Sequence, residues 1–368
     1  MEELPAPLEL LPHLPNELII LEILPRLPVK SLLKFRCVSK SWLSSISTPH
    51  FIKAHLEKSS QNKDHSHHSL IAHSSAPHIA FKNCSVQSLL QQPVTHATNV
   101  NYPVANTSSS ISVVGSCNGL ICIVVNCEQI HIWNPSTTKS NTLNDSDFIR
   151  EKHCYTIYGF GHDEMNDDYN VVAIINPLNR VKIETKVYSL KSDKWRRIDD
   201  FPGFFPFYSW GKYVEGKLHW PGFSGKQDRA VVSFDLAQAK YGELKLPING
   251  DGASFPLLGV LGRCLCVMYE YQWSSVDLWV MKEYGVMESW IKMLTFPSFG
   301  IRGHVPLCIS RNGEVLIQFE STLKLYNLQG DSVGNPKIMN MDECCDAIYY
   351  VESLVSANAN DKEDRRHG

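Results

Sequence analysis

The stretch with the densest set of reactive side chains is GFGHDEMNDD, residues 159–168. It holds two glycines, a histidine and four acidic residues, the residue types of dinucleotide-binding and calcium-binding loops. A dinucleotide loop needs a third glycine. A calcium loop needs oxygen ligands at its first, third and fifth positions, and here one of these falls on Met165. The spacing therefore predicts a polar turn between two strands and no cofactor site.

Two further groups contain residue types that bind metal ions. Histidines are concentrated in and just after SSQNKDHSHHS, residues 59–69, but no cysteine or carboxylate cluster accompanies them, so we expect a solvated linker. Cysteines at 117, 122 and 127 are five residues apart, which does not fit a zinc site. The motifs GxSxG, HExxH and GK[ST] do not occur. We therefore predict no catalytic residue, no metal site and no cofactor. The histidines in question are His65, His67, His68, His73 and His78.

Composition restricts the compartment and the partners. The 35 basic and 38 acidic residues nearly cancel, so overall charge does not favour nucleic acid. No apolar run of about 18 residues could span a membrane, and MEELPAPLELLPHLP has acids and prolines where a signal peptide has bases and an apolar core. Eleven cysteines without a CxxC pair are unlike a secreted disulfide framework. We expect a cytoplasmic or nuclear protein with no membrane and no nucleic-acid partner.

The elements that must position any functional residues change in character along the chain. Up to about residue 58, apolar residues recur every three or four positions, which predicts three or four short helices. Ser39 and Thr48 are expected to begin two of them. So small a bundle buries little interior of its own, yet LPRLPVKSLLKFRCVSKSW, residues 24–42, is both apolar and basic. This pattern predicts an interface with an acidic partner. The alternative is that the helices dock on the rest of the chain.

The order LPNELI, EILPRLPVKSLLKFRCVSKSW, STPHFIKAHL over residues 14–58 resembles the F-box of plant F-box proteins. The resemblance implies binding to the SKP-family adaptor of a cullin-based SCF ubiquitin ligase. This chain has one residue more between Leu18 and Glu22 than the family pattern LPxELxxEIL. Because one residue turns an α-helix by about 100°, either the first turn is remodelled near Asn16 or Leu18 leaves the shared face. The matching adaptor-binding positions are Leu14, Pro15, Leu18, Ile23, Leu24, Leu27, Pro28, Ser31, Leu32, Val38 and Trp42.

Beyond residue 69 the pattern is that of strands, in a repeat of 45 to 55 residues that is typical of β-propeller blades. Five repeats are visible. A sixth is expected where strands near residues 70–81 pair with the final AIYYVESLV and hide the open sheet edges. The predicted fold is thus α+β and multi-domain, a small helical F-box followed by an all-β propeller of about six blades, with five to seven compatible. The repeats centre on Trp133, Tyr188, Phe234, Trp279 and Tyr326.

The same repeats resemble the F-box-associated domain of plant F-box/kelch-repeat proteins, with GSCNGLICI, IWNPSTTK and KVYSLKSDKWRRI at family positions. The aromatic stretch FPGFFPFYSWGKY predicts a target-binding loop. The alternative is that its rings fill the gap between blades. Its candidate target-binding residues are Phe204, Phe205, Phe207, Tyr208 and Trp210. The predicted organisation is a flexible N-terminus at 1–13, the F-box at 14–58, a polar linker at 59–69, the propeller at 70–357 and a disordered tail at 358–368.

The two resemblances imply the substrate-recognition subunit of an SCF cullin-RING E3 ubiquitin ligase, without catalytic residues of its own. The F-box would bind the SKP-family adaptor, and through it the cullin and RING subunits, while the propeller would hold a protein target for ubiquitination. Nothing in the sequence identifies that target. One alternative is a propeller scaffold or recognition factor, of the self-incompatibility or defence type, that causes no degradation. Another is a propeller enzyme with its active site in the central channel.

Overall fold

The computed structural model describes residues 15–74, 80–104, 110–127, 129–143, 154–177, 183–202, 209–223, 229–247, 253–272, 274–298, 304–340 and 346–358. Within these ranges a helical head, residues 15–60, stands at one end of a propeller of six four-stranded sheets. The predicted fold of a small helical unit followed by about six blades is confirmed. The predicted flexible N-terminus at 1–13, the adjacent Leu14 and the tail after residue 358 lie outside the described residues.

Short helices with side-chain caps build the head. The Oγ of Ser39 accepts a hydrogen bond from the N–H of Trp42 at 3.1 Å, and Thr48 Oγ1 accepts from the N–H of Phe51 at 3.2 Å, so both predicted helix starts are confirmed. The helical elements are α1 (Asn16–Leu18), a π-helical turn (Ile19–Ile23), a 3-10 turn (Leu24–Arg26), α2 (Val29–Phe35), α3 (Lys40–Ile46) and α4 (Pro49–Ser60).

The core of the head includes one residue from the far end of the chain. Leu354, which follows the last strand of the propeller, is 4 % exposed and packs into the same cluster as the helices. The head is therefore docked on the propeller, the alternative that the sequence leaves open. The buried head residues in this cluster are Leu24, Val29, Leu32, Ile46 and Phe51.

Twenty-six strands are defined in the described part of the chain. They are β1 (His68–Ser74), β2 (Ala80–Ser85), β3 (Val94–His96), β4 (Thr98–Asn99), β5 (Ile111–Cys117), β6 (Leu120–Val125), β7 (Gln129–Asn134), β8 (Lys139–Thr142), β9 (Cys154–Asp163), β10 (Asp168–Pro177), β11 (Glu184–Ser189), β12 (Lys194–Arg197), β13 (Lys212–Val214), β14 (Lys217–Phe223), β15 (Arg229–Asp235), β16 (Lys240–Lys245), β17 (Leu257–Leu261), β18 (Cys264–Tyr271), β19 (Ser275–Met281), β20 (Trp290–Pro297), β21 (His304–Ile309), β22 (Val315–Phe319), β23 (Thr322–Tyr326), β24 (Ser332–Gly334), β25 (Lys337–Met339) and β26 (Asp346–Val351).

The strands form six antiparallel blades. Blade 1 has the order β26-β1-β2-β4, and blades 2 to 6 are β5–β8, β9–β12, β13–β16, β17–β20 and β21–β24. The innermost strands β26, β5, β9, β13, β17 and β21 contact one another in a ring. In the described residues, each of the six interfaces between neighbouring blades contains one hydrophobic cluster. The apolar residues of the repeats are therefore buried between blades.

The ring closes by pairing strands from opposite ends of the propeller, as predicted. β26 runs antiparallel to β1, with Tyr349 opposite Leu70. A second closure was not predicted: β25, which follows blade 6, pairs in parallel with β3, which lies between β2 and β4 in the chain, and the two form a separate two-stranded sheet. The helix α5 (Val86–Gln91) packs beside this pair. The two pairings leave neither end of the ring as an open edge.

The two ends of the propeller differ in their connections. At the end that faces the head, short turns join the first two strands of blades 2 to 6, at 118–119, 164–167, 215–216, 262–263 and 310–314. At the opposite end, here called the distal end, longer segments connect one blade to the next, at 100–110, 143–153, 198–211, 246–256, 298–303 and 335–345. The described part of the head, residues 15–60, therefore lies at the end with the short turns and not at the distal end.

Candidate functional site

The head keeps a set of large apolar side chains on its surface. Between 41 and 61 % of each is exposed, although the cluster beneath them is fully buried. Exposed leucines occurring singly need no explanation, but several on one small bundle indicate a binding surface. Exposed lysines at 30, 34 and 40 accompany them. The exposed residues are Leu18, Leu21, Ile23, Val38 and Leu43.

The predicted adaptor-binding positions separate into surface and core residues. Pro15, Leu18, Ile23, Pro28 and Val38 are exposed, whereas Leu27, Ser31 and Trp42 are half-buried. Leu24 and Leu32 are buried in the head, so they stabilise it and offer no surface of their own. The family motif does not separate these two roles, because it marks residues that are needed for either reason. Leu21 and Leu43 are exposed apolar residues that the motif does not mark.

A π-helical turn accommodates the extra residue between Leu18 and Glu22. The N–H of Leu24 donates to the carbonyl of Ile19, five residues earlier, instead of four. A wider turn absorbs an inserted residue without rotating the helix that follows it, and such single turns are the usual form of π-helix. The backbone therefore departs from a regular α-helix at Ile19–Ile23. This is later in the chain than the first turn near Asn16, where one of the two expectations placed the remodelling. Leu18 stays on the surface.

Residues 59–69, predicted as a solvated linker, are solvated only in part: Ser60, Gln61, Lys63 and Ser66 are exposed, whereas the histidines pack between the head and the propeller. His65 donates from Nε2 to the carbonyl of Ile309 at 2.8 Å, and its Nδ1 lies 3.3 Å from the hydroxyl of Tyr349. The ring of His68 stacks on Tyr349 with 5.2 Å between centroids. The structure differs from the expectation because a neutral imidazole offers one donor and one acceptor. A neutral histidine can therefore be buried where its ring nitrogens form hydrogen bonds or its ring stacks on another aromatic ring.

A second pair of histidines joins α4 to the same segment. His55 donates from Nε2 to the carbonyl of Leu27 at 3.0 Å, and Ser59 donates from its hydroxyl to Nδ1 of His67 at 2.9 Å. Burial lowers the pKa of His55 to about 4 and that of His68 to about 3, and it also lowers the pKa of His67. These rings are therefore neutral at pH 7, and they contribute packing and neutral hydrogen bonds. The region where His55, His65, His67 and His68 make these contacts is called the histidine junction below.

A C-terminal strap, residues 352–358, lies between the head and the propeller. Asn134 at the end of β7 donates from Nδ2 to the carbonyls of Ser353 at 3.1 Å and Val355 at 2.7 Å. Val355 packs against the cluster between blades 2 and 3, whereas Leu354 enters the core of the head. Successive residues of the strap thus face the two parts of the molecule and hold them together.

One of the predicted target-binding residues can be placed. The ring of Trp210 is half-buried and stacks on Tyr158 with 6.1 Å between centroids. It packs against the clusters on both sides of blade 3. For Trp210 the structure therefore shows the packing between blades that the sequence leaves open as the alternative. The other four, Phe204, Phe205, Phe207 and Tyr208, lie outside the described residues.

The residues that could have carried chemistry have structural roles. Asp163 accepts hydrogen bonds from the backbone N–H groups of Met165 at 3.0 Å and Asn166 at 3.1 Å. The predicted polar turn between β9 and β10 is therefore present at residues 164–167, whereas the first five residues of GFGHDEMNDD belong to β9. Cys117 and Cys122 are buried, and burial raises the pKa of both thiols. In the ranges that the structure describes, no three His, Cys, Asp or Glu side chains are grouped to hold a metal ion. None of the described helices has the length and hydropathy to cross a membrane.

Known proteins match both parts of this architecture. Residues 11–54 match the F-box domain, and residues 77–357 match the F-box associated beta propeller domain. The chain is 35 % identical over 358 residues to the F-box/kelch-repeat protein At3g23880 of Arabidopsis thaliana, covering 94 % of this chain and 97 % of that protein. It is 30 % identical over 382 residues to the F-box protein CPR1 of the same plant, covering 92 % and 87 %.

One solved structure is similar in fold. TolB from Acinetobacter baumannii is similar with a TM-score of 0.52, at 11 % identity, over 82 % of this chain and 73 % of TolB. At such low identity the likeness concerns the fold alone. The structure has a helical head and six blades, and the sequence is similar to plant F-box proteins along nearly the whole chain. This chain therefore belongs to the family of F-box proteins that carry an F-box-associated β-propeller.

Proposed function

We propose that this protein is the target-recognition subunit of an SCF-type ubiquitin ligase, with the head bound to a SKP-family adaptor and the propeller bound to a protein target. The observation that carries the proposal is the apolar surface of the head. Leu354 completes the core beneath it, so the exposed side chains are not needed for folding and are available to a partner. The nearby lysines favour an acidic partner and faster association.

The proposed role requires no nucleophile in this chain. The adaptor would connect the head to the cullin and RING subunits, and the propeller would hold the target near the conjugating enzyme. Holding two reactants together raises their effective concentration. The histidine junction and the strap support this role because they fix the orientation of the head relative to the propeller. We place the complex in the cytoplasm or the nucleus.

Co-expression with a plant SKP-family adaptor, followed by purification through a tag on the adaptor, tests the head. Val38→Asp and Leu18→Asp each place a carboxylate at an exposed apolar position, so the chain should fold but no longer be captured. Leu328→Asp is the matched control, because Leu328 is a similarly exposed leucine on a turn of blade 6. Capture of both head variants, or no capture of the folded wild type, would contradict the proposal.

Deleting Leu21 tests the role of the π-helical turn within the same assay. Without this residue the turn can become an ordinary α-helical turn, and Leu18 and Ile23 should stay on the surface. Capture of the deletion variant, at wild-type strength or tighter, is therefore the expected result. Loss of capture would show that Leu21 itself contacts the adaptor.

A cellular measurement separates a ligase subunit from a scaffold that causes no degradation. Proteins bound to the chain should accumulate when the proteasome is inhibited. The same proteins should accumulate when wild type is replaced by Val38→Asp, which keeps the propeller. Bound proteins whose amounts respond to neither treatment would favour the scaffold.

A further inference from the structure

The distal end of blades 4 and 5 carries an exposed aromatic surface that the head does not cover. The ring of Phe255 is 40 % exposed and lies 5.5 Å from the ring of Phe223, between centroids. Phe223 ends β14 of blade 4, whereas Phe255 and the exposed Leu257 lie where blade 5 begins. These three residues and Arg229, the first residue of β15, are called the distal aromatic surface below.

Arg229 fixes this surface in place. Its Nη1 donates to the carbonyls of Ser254 at 2.6 Å and Ala253 at 3.1 Å, and its guanidinium carbon lies 5.9 Å from the centroid of the Phe255 ring. From the other side, the N–H of Ser254 donates to the carbonyl of Glu270 at 2.8 Å. The exposed ring is thus held by its backbone on two sides. A pre-ordered anchor loses less conformational entropy on binding a partner.

The charge of Arg229 is not neutralised among the described residues, where its contacts are two backbone carbonyls and a ring. The carboxylate of Glu270, on the adjoining blade, accepts a hydrogen bond from the hydroxyl of Ser298 instead. Lys245, exposed at the distal end of β16 in the same blade as Arg229, has no ion pair in the described part of the chain. A carboxylate ligand would therefore meet two cations that no described acid neutralises.

The residue types of this surface define the ligand that fits it. Guanidinium groups bind carboxylates through paired N–H groups, and Arg229 uses only Nη1 for the two carbonyls. Exposed aromatic and leucine side chains bind apolar side chains, and aromatic residues with arginine are the types that dominate binding energy at protein interfaces. A ligand must therefore carry a carboxylate and an apolar side chain within a few residues.

We propose that the distal aromatic surface is the docking site for the target, and that the docked segment is an acidic peptide with an aromatic or aliphatic side chain beside its carboxylate. This inference rests on the proposed function, which gives the propeller the target and the head the adaptor. The apolar side chain packs on Phe255 and Leu257, and the carboxylate pairs with the remaining N–H groups of Arg229. Lys245 attracts further acidic residues of the same segment.

The test uses the full chain, immobilised through a terminal tag, and a phage-displayed library of random peptides. Peptides enriched on wild type should contain Asp or Glu next to Phe, Leu or a similar residue. Their affinity is then measured in solution by fluorescence anisotropy. Phe255→Ala and Arg229→Gln should each weaken binding about tenfold or more. Arg263→Gln is the matched control, because Arg263 is an exposed arginine of blade 5 at the opposite, head-facing end.

Charge reversal gives the sharper result. Arg229→Glu should reject the acidic peptides, and repeated selection on that variant should enrich Lys and Arg beside the apolar residue. Raising the salt concentration should weaken the wild-type complex. Thermal melting of each variant shows whether it is folded. If Arg229→Gln disturbs the backbone near Ser254, Phe255→Ala still tests the surface, because it leaves Arg229 and its hydrogen bonds unchanged.

Several outcomes would overturn the inference. These are the absence of any enriched peptide, enrichment of peptides without acids, or an equal loss of affinity in Arg263→Gln. Adaptor capture is measured separately on the same variants. If capture succeeds and peptide selection fails, only the docking site is wrong. If wild type is not captured, the proposed function is wrong.

Discussion

The head and the propeller of this protein are stabilised in different ways. Among the described residues, each interface between blades contains a cluster that two four-stranded sheets share, whereas the head has one small cluster that includes Leu354 from the strap. A bundle of about 45 residues supplies little stability by itself. The comparison teaches that the F-box of this chain is completed by its propeller. Changes in the strap and the junction should therefore affect the head before they affect the blades.

The largest effect is expected for Leu354→Ala. Removing a buried leucine side chain leaves a cavity in the head and should lower its free energy of unfolding by about 2–4 kcal/mol. Hydrogen exchange should accelerate in residues 29–60 and stay unchanged in the strands of blades 3 to 5. Leu328→Ala, at an exposed leucine, is the control and should change neither. Equal acceleration in head and blades would show that the two parts unfold together.

A smaller effect is expected for Asn134→Ala, which removes both side-chain hydrogen bonds to the strap. Two carbonyls in a largely buried site would lose their donor, at a cost of about 2 kcal/mol. Denaturant unfolding measures this cost, and hydrogen exchange at residues 352–358 shows whether the strap is released. Asn327→Ala is the matched control, since Asn327 organises an exposed turn of blade 6. A strap that keeps its protection would mean that Leu354 alone holds it.

The histidine junction should make stability depend on pH. Burial places the pKa of His55 at about 4 and that of His68 at about 3, below the value of about 6.5 for an unfolded histidine. The unfolded chain therefore binds protons first as the pH falls, so stability is present above about pH 6.5 and is lost below it. His55 and His68 should each lower the free energy of unfolding by about 1 kcal/mol at about pH 5.5.

Denaturant unfolding at about pH 7.5 and 5.5 measures this loss. His55→Gln should be less stable than wild type at the higher pH, because a buried hydrogen bond is changed, yet its stability should vary less between the two. His50→Gln, at an exposed position of the same helix, is the control. An unchanged pH slope in His55→Gln would show that His55 is not buried as a neutral ring.

The smallest effect is expected for the ion pair between Arg311 of the propeller and Asp64 of the segment that follows the head. Its atoms are 2.5 Å apart, but the two side chains are 62 % and 42 % exposed, so water and salt screen the attraction. Arg311→Ala should change the free energy of unfolding by about 0.5 kcal/mol or less. A loss as large as that of Leu354→Ala would mean that charge holds the head, contrary to the comparison above.

Much of the fold could be predicted from the sequence because its signals are local or repeated. Ser39 and Thr48 mark helix starts through hydrogen bonds within one turn, and the regular spacing of strand segments indicates blades of nearly equal length. The closing pair of β1 and β26 could be predicted because a ring of blades would otherwise leave two open edges.

The contacts of the junction could not be predicted because they join residues far apart in the chain. Nothing near Leu354 in the sequence shows that it belongs to the core of the head. The polar residues around His65 predict exposure to solvent, although His65 contacts the propeller. The distal aromatic surface was missed for a similar reason. Phe223, Arg229 and Phe255 lie in different strands and connections, so they are not close together in the sequence. The prediction of a target-binding loop was instead based on FPGFFPFYSW, where aromatic residues are close together in the sequence.

The position of Leu354 has a consequence for biosynthesis. A ribosome makes the head before the strap, and the propeller strands from β1 to β26 are synthesised between them, so they precede the arrival of Leu354 at the helices. A growing chain, or one cut short by a premature stop codon, therefore carries a head with an incomplete core. If the head binds an adaptor as proposed, incomplete chains should compete poorly for it, and assembled complexes should contain only molecules whose last blade has closed.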